Sequence, residues 1–351
     1  MGFIKSRAVY FKAAGIIITG VLVLLYPKET AASAVNSINV CLSTIIPSMF
    51  AFMVISTYIQ SSGLYRLIFR PVMWLMRRIV KADDSVISVF LLSLFGGYPI
   101  GVKLLKEMIA QNNNYPEIRQ TCTNAASFCY CISPTFAIIM LGSGVFGSTT
   151  AGTVIYISNI IACIITAAVV SRIHHLGTAE TKSKITHTGI TDAVNSASHA
   201  LFTVCTVILA FNTLLACVNA VFAQLGYEIP QIVRGILEIS NLTGISEPDI
   251  TLIPFVSAIS SMGGLCVLLQ CASIVNGAFP LGKFMFSRLI CSALSALISW
   301  LMLQFTDVSV SASTYSSEYI YEFSANKVIV LILVAMCIII FNRSDKIFRK
   351  V

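Results

Sequence analysis

Apolar residues run in long blocks separated by short charged connectors. Blocks at about 9–26, 40–60, 149–171, 200–222, 284–304 and 326–342 each approach the ~20 residues that a helix needs to cross a bilayer. Two further apolar stretches are broken in the middle. Residues 92–108 read LSLFGGYPIGVKLLKEM, with Gly96, Gly97, Tyr98 and Pro99 at the interruption. Residues 257–270 read SAISSMGGLCVLLQ, interrupted at Gly263 and Gly264. Such breaks leave backbone groups without intrahelical partners, which lipid tolerates only where the break is buried in protein or lines a watery cavity. One break in each half of the chain is the sequence pattern of a transport site.

Segment 85–110 reads either as one kinked helix or as a re-entrant hairpin turning at residues 95–99, and the Gly-Gly-x-Pro order favours the turn. A helix restarting after Pro99 would present free amides to an anionic ligand. Lys103 lies one turn into that helix, either as a substrate contact or as the i, i+4 partner of Glu107. Another break is expected at residues 131–135, where Pro134 removes a backbone donor and Ser133 can supply a hydroxyl. Asn124 is a polar candidate in the same stretch. In the second half, Glu238 is either a group that exchanges a proton or contacts substrate, or the partner of Arg234. Asn241 and Gln270 could hydrogen-bond a ligand, or, for Gln270, tie two helices.

Charge placement adds an orientation. Arg66, Arg70, Arg77, Arg78 and Lys81 cluster after the second block. Arg172, His174, His175, Lys182, Lys184 and His187 fill the central connector, and Arg343, Lys346, Arg349 and Lys350 the C-terminal tail. Residues 307–325 carry Asp307, Glu318 and Glu322 without Lys or Arg. The positive-inside rule puts both termini and the basic connectors in the cytoplasm and 307–325 outside. Block 40–60 then runs inward where 200–222 runs outward, and 149–171 inward where 284–304 runs outward. The expectation is an all-α polytopic membrane protein with two inverted-topology repeats and broken or re-entrant helices. Its parts are an N-terminal transmembrane helix (1–30), a first repeat (31–175), a basic cytoplasmic linker (176–190), a second repeat (191–306), an extracytoplasmic loop (307–325) and a C-terminal helix with its tail (326–351). Stretches 64–80 and 231–245 have the amphipathic pattern of interfacial helices.

Composition agrees: 56% of the 351 residues are hydrophobic and 11% charged, against about 25% charged in soluble domains. The 11 cysteines lie mostly in apolar blocks, an arrangement of small apolar residues rather than a disulfide framework. Residues 32–34 (Ala-Ser-Ala) resemble a signal-peptidase site, so the first block is either an uncleaved span, the favoured reading, or a signal peptide. No HExxH, GxSxG or GxxxxGK[ST] signature occurs, and no enzyme activity is expected. No metal or other cofactor is expected; a coupling ion, H+ or Na+, is left open. The partners are a small-molecule substrate and the bilayer, not nucleic acid, with a homo-oligomer left open.

FGGYPIGVK (95–103) resembles the SGYPxGxK signature of the sporulation integral membrane protein YlbJ family, also called SpoVV. SFCYCISPTFAIIMLGSGVFG (127–147) is similar to that family's SFCNNxSPxFIIGxVGxGxxG, LEIS (237–240) to its LEIT, and SMGGLCVLLQ (261–270) to its FGGLSxxxQ. Tyr130 and Cys131 stand where the family has Asn-Asn, and Gly96 where it has Ser. The resemblance implies a nucleoside-recognition (Gate) architecture, distantly like concentrative nucleoside transporters. It further implies movement of dipicolinic acid across the outer forespore membrane of a sporulating bacterium. Lys103 and the helix after Pro99 would suit that dianion; Glu238, Asn241 and Gln270 would suit a nucleoside.

Overall fold

The computed structural model describes residues 2–112, 115–174, 176 and 189–310. The 326–342 block, the basic tail and most of the 177–188 and 307–325 connectors lie outside the described residues.

Among the described residues the chain is helical apart from turns and one isolated bridge. Helix α1 (Gly2–Leu25) meets α2 (Pro27–Val40) at a sharp bend of 96° between Ala13–Leu25 and Pro27–Ser43. Pro27 at the first turn of α2 explains why a helix starts afresh there. A π-helical turn (Cys41–Ile45) carries α2 into α3 (Ile46–Ser61). The polar residues 27–39, between the first two apolar blocks, are therefore helical. Their polarity is used against α10 (Ile190–Gln224): Ser33 Oγ donates to Asn212 O at 3.0 Å, and Asn212 Nδ2 to Ser37 Oγ at 3.1 Å. The signal-peptidase-like triplet is thus part of a packed helix.

After α3 come the short α4 (Tyr65–Ile68) and α5 (Arg70–Ile79). Helix α5 buries Met73 and Met76 and exposes Trp74, with the Arg78 guanidinium 3.9 Å from the Trp74 ring centroid. Arg77 grips Asp84 through Nε at 2.7 Å and Nη2 at 2.5 Å on the surface. Solvent screening keeps such a pair weak, so Arg77→Ala should lower stability by no more than about 1 kcal/mol, read by a thermal melt in detergent.

Helices α6 (Asp84–Gly96) and α7 (Ile100–Gln111) form a hairpin. Gln60 Nε2 reaches both Ser85 O (3.2 Å) at the start of α6 and Met108 Sδ (3.6 Å) near the end of α7. A continuous kinked helix would hold those two residues some 35 Å apart, at 1.5 Å rise per residue. Helix α8 (Pro116–Ala125), non-helical residues 126–133 and a π-helical stretch (Thr135–Val145) follow, then α9 (Thr149–Ile173). Beyond α10 lie α11 (Gln231–Leu237), two 3-10 turns (Ile239–Gly244 and Ile250–Leu252), α12 (Ile253–Met262), α13 (Gly264–Val275) and α14 (Leu281–Leu303). The expected amphipathic helix at 231–245 is thus cut short at Leu237, and its second part is a 3-10 turn.

By length and apolarity, α9, α10, Ile250–Val275 and α14 can each cross a membrane, with the bent α1–α2 pair a candidate fifth. Three of these coincide with the blocks at 149–171, 200–222 and 284–304. Ile250–Val275 adds a crossing that contains the second glycine pair. The exterior carries exposed Phe202, Phe255, Phe286, Leu289 and Trp300, while the interior holds fully buried Ser158, Ser257 and Ser295. Large apolar side chains on the surface, with hydroxyls buried among an otherwise apolar interior, are the arrangement of a protein that has lipid as its solvent. Those serines join α9, α12 and α14, with both Oγ–Oγ separations 2.8 Å.

The two halves interleave. Helix α9 of the first half packs on α12 and α14, and α10 of the second half packs on α2 and α3. Helix α13 lies between, against α7, α10 and α11. The basic connectors meet: Lys81 N donates to Ser171 Oγ (3.2 Å) and Asp83 N to Leu176 O (3.2 Å). The residues that follow α5 and those leading into the central connector therefore lie side by side.

Candidate functional site

The broken segments converge. Gly97 has φ +73°, a conformation that favours glycine, and a Cβ there would lie 2.8 Å from Ser133 Cβ. The hairpin tip thus rests on the unwound stretch that precedes Pro134. From that stretch Tyr130 reaches across to the second half: its hydroxyl donates to Met262 O at 3.0 Å, and a Cβ on Gly263 (φ +84°) would collide with that hydroxyl at 1.9 Å. The Tyr98 ring lies against Tyr130, centroids 4.7 Å apart and planes tilted by 40°, and its own hydroxyl makes a short hydrogen bond to Ser260 O. Gly264 (φ +72°) faces the break after α11, where its Cβ would sit 3.3 Å from Ile236 O and Ile239 N. Glu238 lies in that break, 4% exposed.

Arg288 of α14 completes the cluster. It is fully buried, its Nη1 donates to Tyr130 O at 2.8 Å and its Nη2 to Ser127 O, and its guanidinium lies 5.1 Å from the Tyr130 ring centroid. The carbonyls it takes belong to the unwound stretch and have no helical partner there. Its Nε has no partner, and among the described residues no carboxylate pairs with it. Beside it Cys163 Sγ lies 3.5 Å from Cys131 Sγ and 3.7 Å from Cys291 Sγ, all as free thiols.

Of the residues singled out in the sequence, Gly97, Tyr98, Ser133 and Gly263 meet at this point, with Gly264 and Glu238 beside them. Gly96 serves packing, since a Cβ there would meet the Phe52 ring at 2.4 Å. Pro99 precedes the first turn of α7, and Pro134 precedes the π-helical stretch. Lys103 points into a different network: its Nζ donates to Glu107 Oε1 (2.7 Å) and Thr57 Oγ1 (2.6 Å), and Ser196 Oγ donates to the same carboxylate oxygen. Its charge is neutralised there, so the ion-pair alternative describes it. Glu238 does the opposite: the Arg234 alternative is absent, its carboxylate accepts from Ser240 Oγ, and Arg234 Nε is buried without a partner. Asn241 Nδ2 reaches Arg234 O at 3.4 Å, and Gln270 Nε2 reaches Cys266 Sγ at 3.5 Å; both amides are engaged locally. Asn124 ends α8, with its carbonyl accepting from Ser127 Oγ at 2.6 Å.

Arg288 is the residue that the sequence reading passed over. It was legible as a lone arginine inside the 284–304 block, where an ionisable side chain is a functional candidate by default.

No family model, curated protein or solved structure matches this chain.

Proposed function

We propose that the chain is a secondary transporter of a small organic anion in the bacterial cell membrane, with dipicolinic acid crossing the outer forespore membrane as the leading substrate. The observation that carries this reading is the meeting of unwound segments from both halves around a buried cation, beneath an apolar exterior. Unwound backbone at membrane depth is tolerated where it is buried in protein or lines a watery cavity, and transporters place their solute sites at such breaks.

We infer that the halves are inverted repeats in which each break has a counterpart. The re-entrant hairpin tip at Gly97 rests on the broken crossing at 126–133, as the break at Glu238 rests on the broken crossing at Gly263 and Gly264. The two glycine pairs are then not each other's equivalents. Because the helices interleave, the moving bodies are α2, α3 and α10 against α9, α12 and α14, and the unwound segments lie between them.

The test is uptake of labelled dipicolinate by proteoliposomes holding the purified chain. Saturable uptake that unlabelled dipicolinate suppresses and uridine does not supports the reading; suppression by uridine alone would make the solute a nucleoside. Absence of uptake, together with no thermal shift from dipicolinate, other pyridine carboxylates or nucleosides, would leave a membrane assembly protein whose breaks serve packing.

A further inference from the structure

We propose that Arg288 is the residue that takes the carboxylate of the transported anion, an inference that rests on the transporter reading above. Arginine stays charged at any accessible pH, so burial cannot be relieved by losing a proton. The other buried cation among the described residues, Lys103, has Glu107 beside it at 2.7 Å. Arg288 has two backbone carbonyls and an aromatic face, which satisfy donors but leave the charge uncompensated. A lone buried charge is costly, and an anion that arrives with the solute offsets part of that cost.

The geometry also says which edge of the guanidinium is unpartnered. Nη1 and Nη2 each spend one N–H on the unwound stretch, whereas Nε, fully buried, spends none. The Nε–H and the adjacent second Nη–H form a side edge that fits a carboxylate in bidentate fashion. The same residue thus holds the unwound segment with two donors and offers the remaining edge to the solute. Tyr98 and Tyr130, with ring centroids 4.7 Å apart and planes tilted by 40°, put aromatic surface beside it, which suits an aromatic carboxylate.

A brace and an anion anchor differ in one measurable respect: only the anchor discriminates charged from neutral ligand. The experiment measures binding of pyridine-2,6-dicarboxylate and of its uncharged diamide to the purified full chain, wild type against Arg288→Gln and Arg288→Lys. Wild type should prefer the dicarboxylate by about tenfold or more, the size of one charge-assisted contact. In Arg288→Gln that ratio should fall to about one. Arg288→Lys, which keeps the charge but not the fork, should fall between, and it carries the test should the Gln variant fail to insert. An unchanged ratio in either folded variant, or a wild type without preference, overturns the role of Arg288 while leaving transport intact. A wild type that binds and moves neither ligand overturns the transporter reading for this solute along with it.

Discussion

Gly101→Ala should push the α6–α7 hairpin off the unwound stretch, lowering the detergent melting temperature and cutting uptake by more than tenfold. The added Cβ would stand 2.0 Å from Cys129 O and 2.8 Å from Ser93 Cβ. The nearer atom is backbone in a buried, non-helical segment, so it cannot rotate away as a side-chain tip would. Overpacking a well-filled core costs about 1–3 kcal/mol, and here the strain falls on the segment that carries Tyr130 and accepts the Arg288 hydrogen bonds. Gly282→Ala is the matched comparison. Nothing lies within 4 Å of a Cβ there, and alanine favours an α-helix over glycine by up to ~1 kcal/mol. Equal melting temperatures and equal uptake for the two variants would refute the close approach of hairpin and unwound stretch.

Lys103→Met should destabilise by about 3–5 kcal/mol, the usual result of stripping one partner from a buried ion pair. Glu107 would keep Ser196 as its only remaining donor from the network that now also includes Lys103. Adding Glu107→Gln removes the stranded charge, and the double variant should recover most of the lost stability and near-normal dipicolinate uptake. Measuring both properties on the same preparations separates two roles. A double variant that is stable yet transports nothing would return Lys103 to the solute site and displace the present assignment.

How much of this was legible in the residues differs from element to element. The apolar blocks at 149–171, 200–222 and 284–304 were readable because a span must be continuous and apolar over its full length. The turn at Gly97 was readable because adjacent glycines before a proline leave the helix few alternatives. The helicity of residues 27–39 was hidden, since Ser33 and Ser37 look like connector residues until Asn212, far along the chain, is placed opposite them. The separation of Lys103 from the convergence point was equally hidden. Local spacing offered Glu107 as a partner, but only Thr57 and Ser196, from other helices, show that the pair is enclosed. Tyr130 was read as a departure from a family pattern, and its contact with Gly263 depends on distant chain. Arg288 needed no structure to be noticed, only attention to a charge in an apolar run.

The interleaving of α9 with α12 and α14 bears on how the chain is made. When α9 leaves the ribosome, Ser257 and Ser295 do not yet exist, so Ser158 enters the bilayer with its eventual partners still unsynthesised. An early hydroxyl must therefore wait, shielded by α9's own carbonyls or by the insertion machinery, until α14 emerges. Expressing the segments before and after the central connector as separate polypeptides should yield two insertion-competent but aggregation-prone products, and not two finished domains.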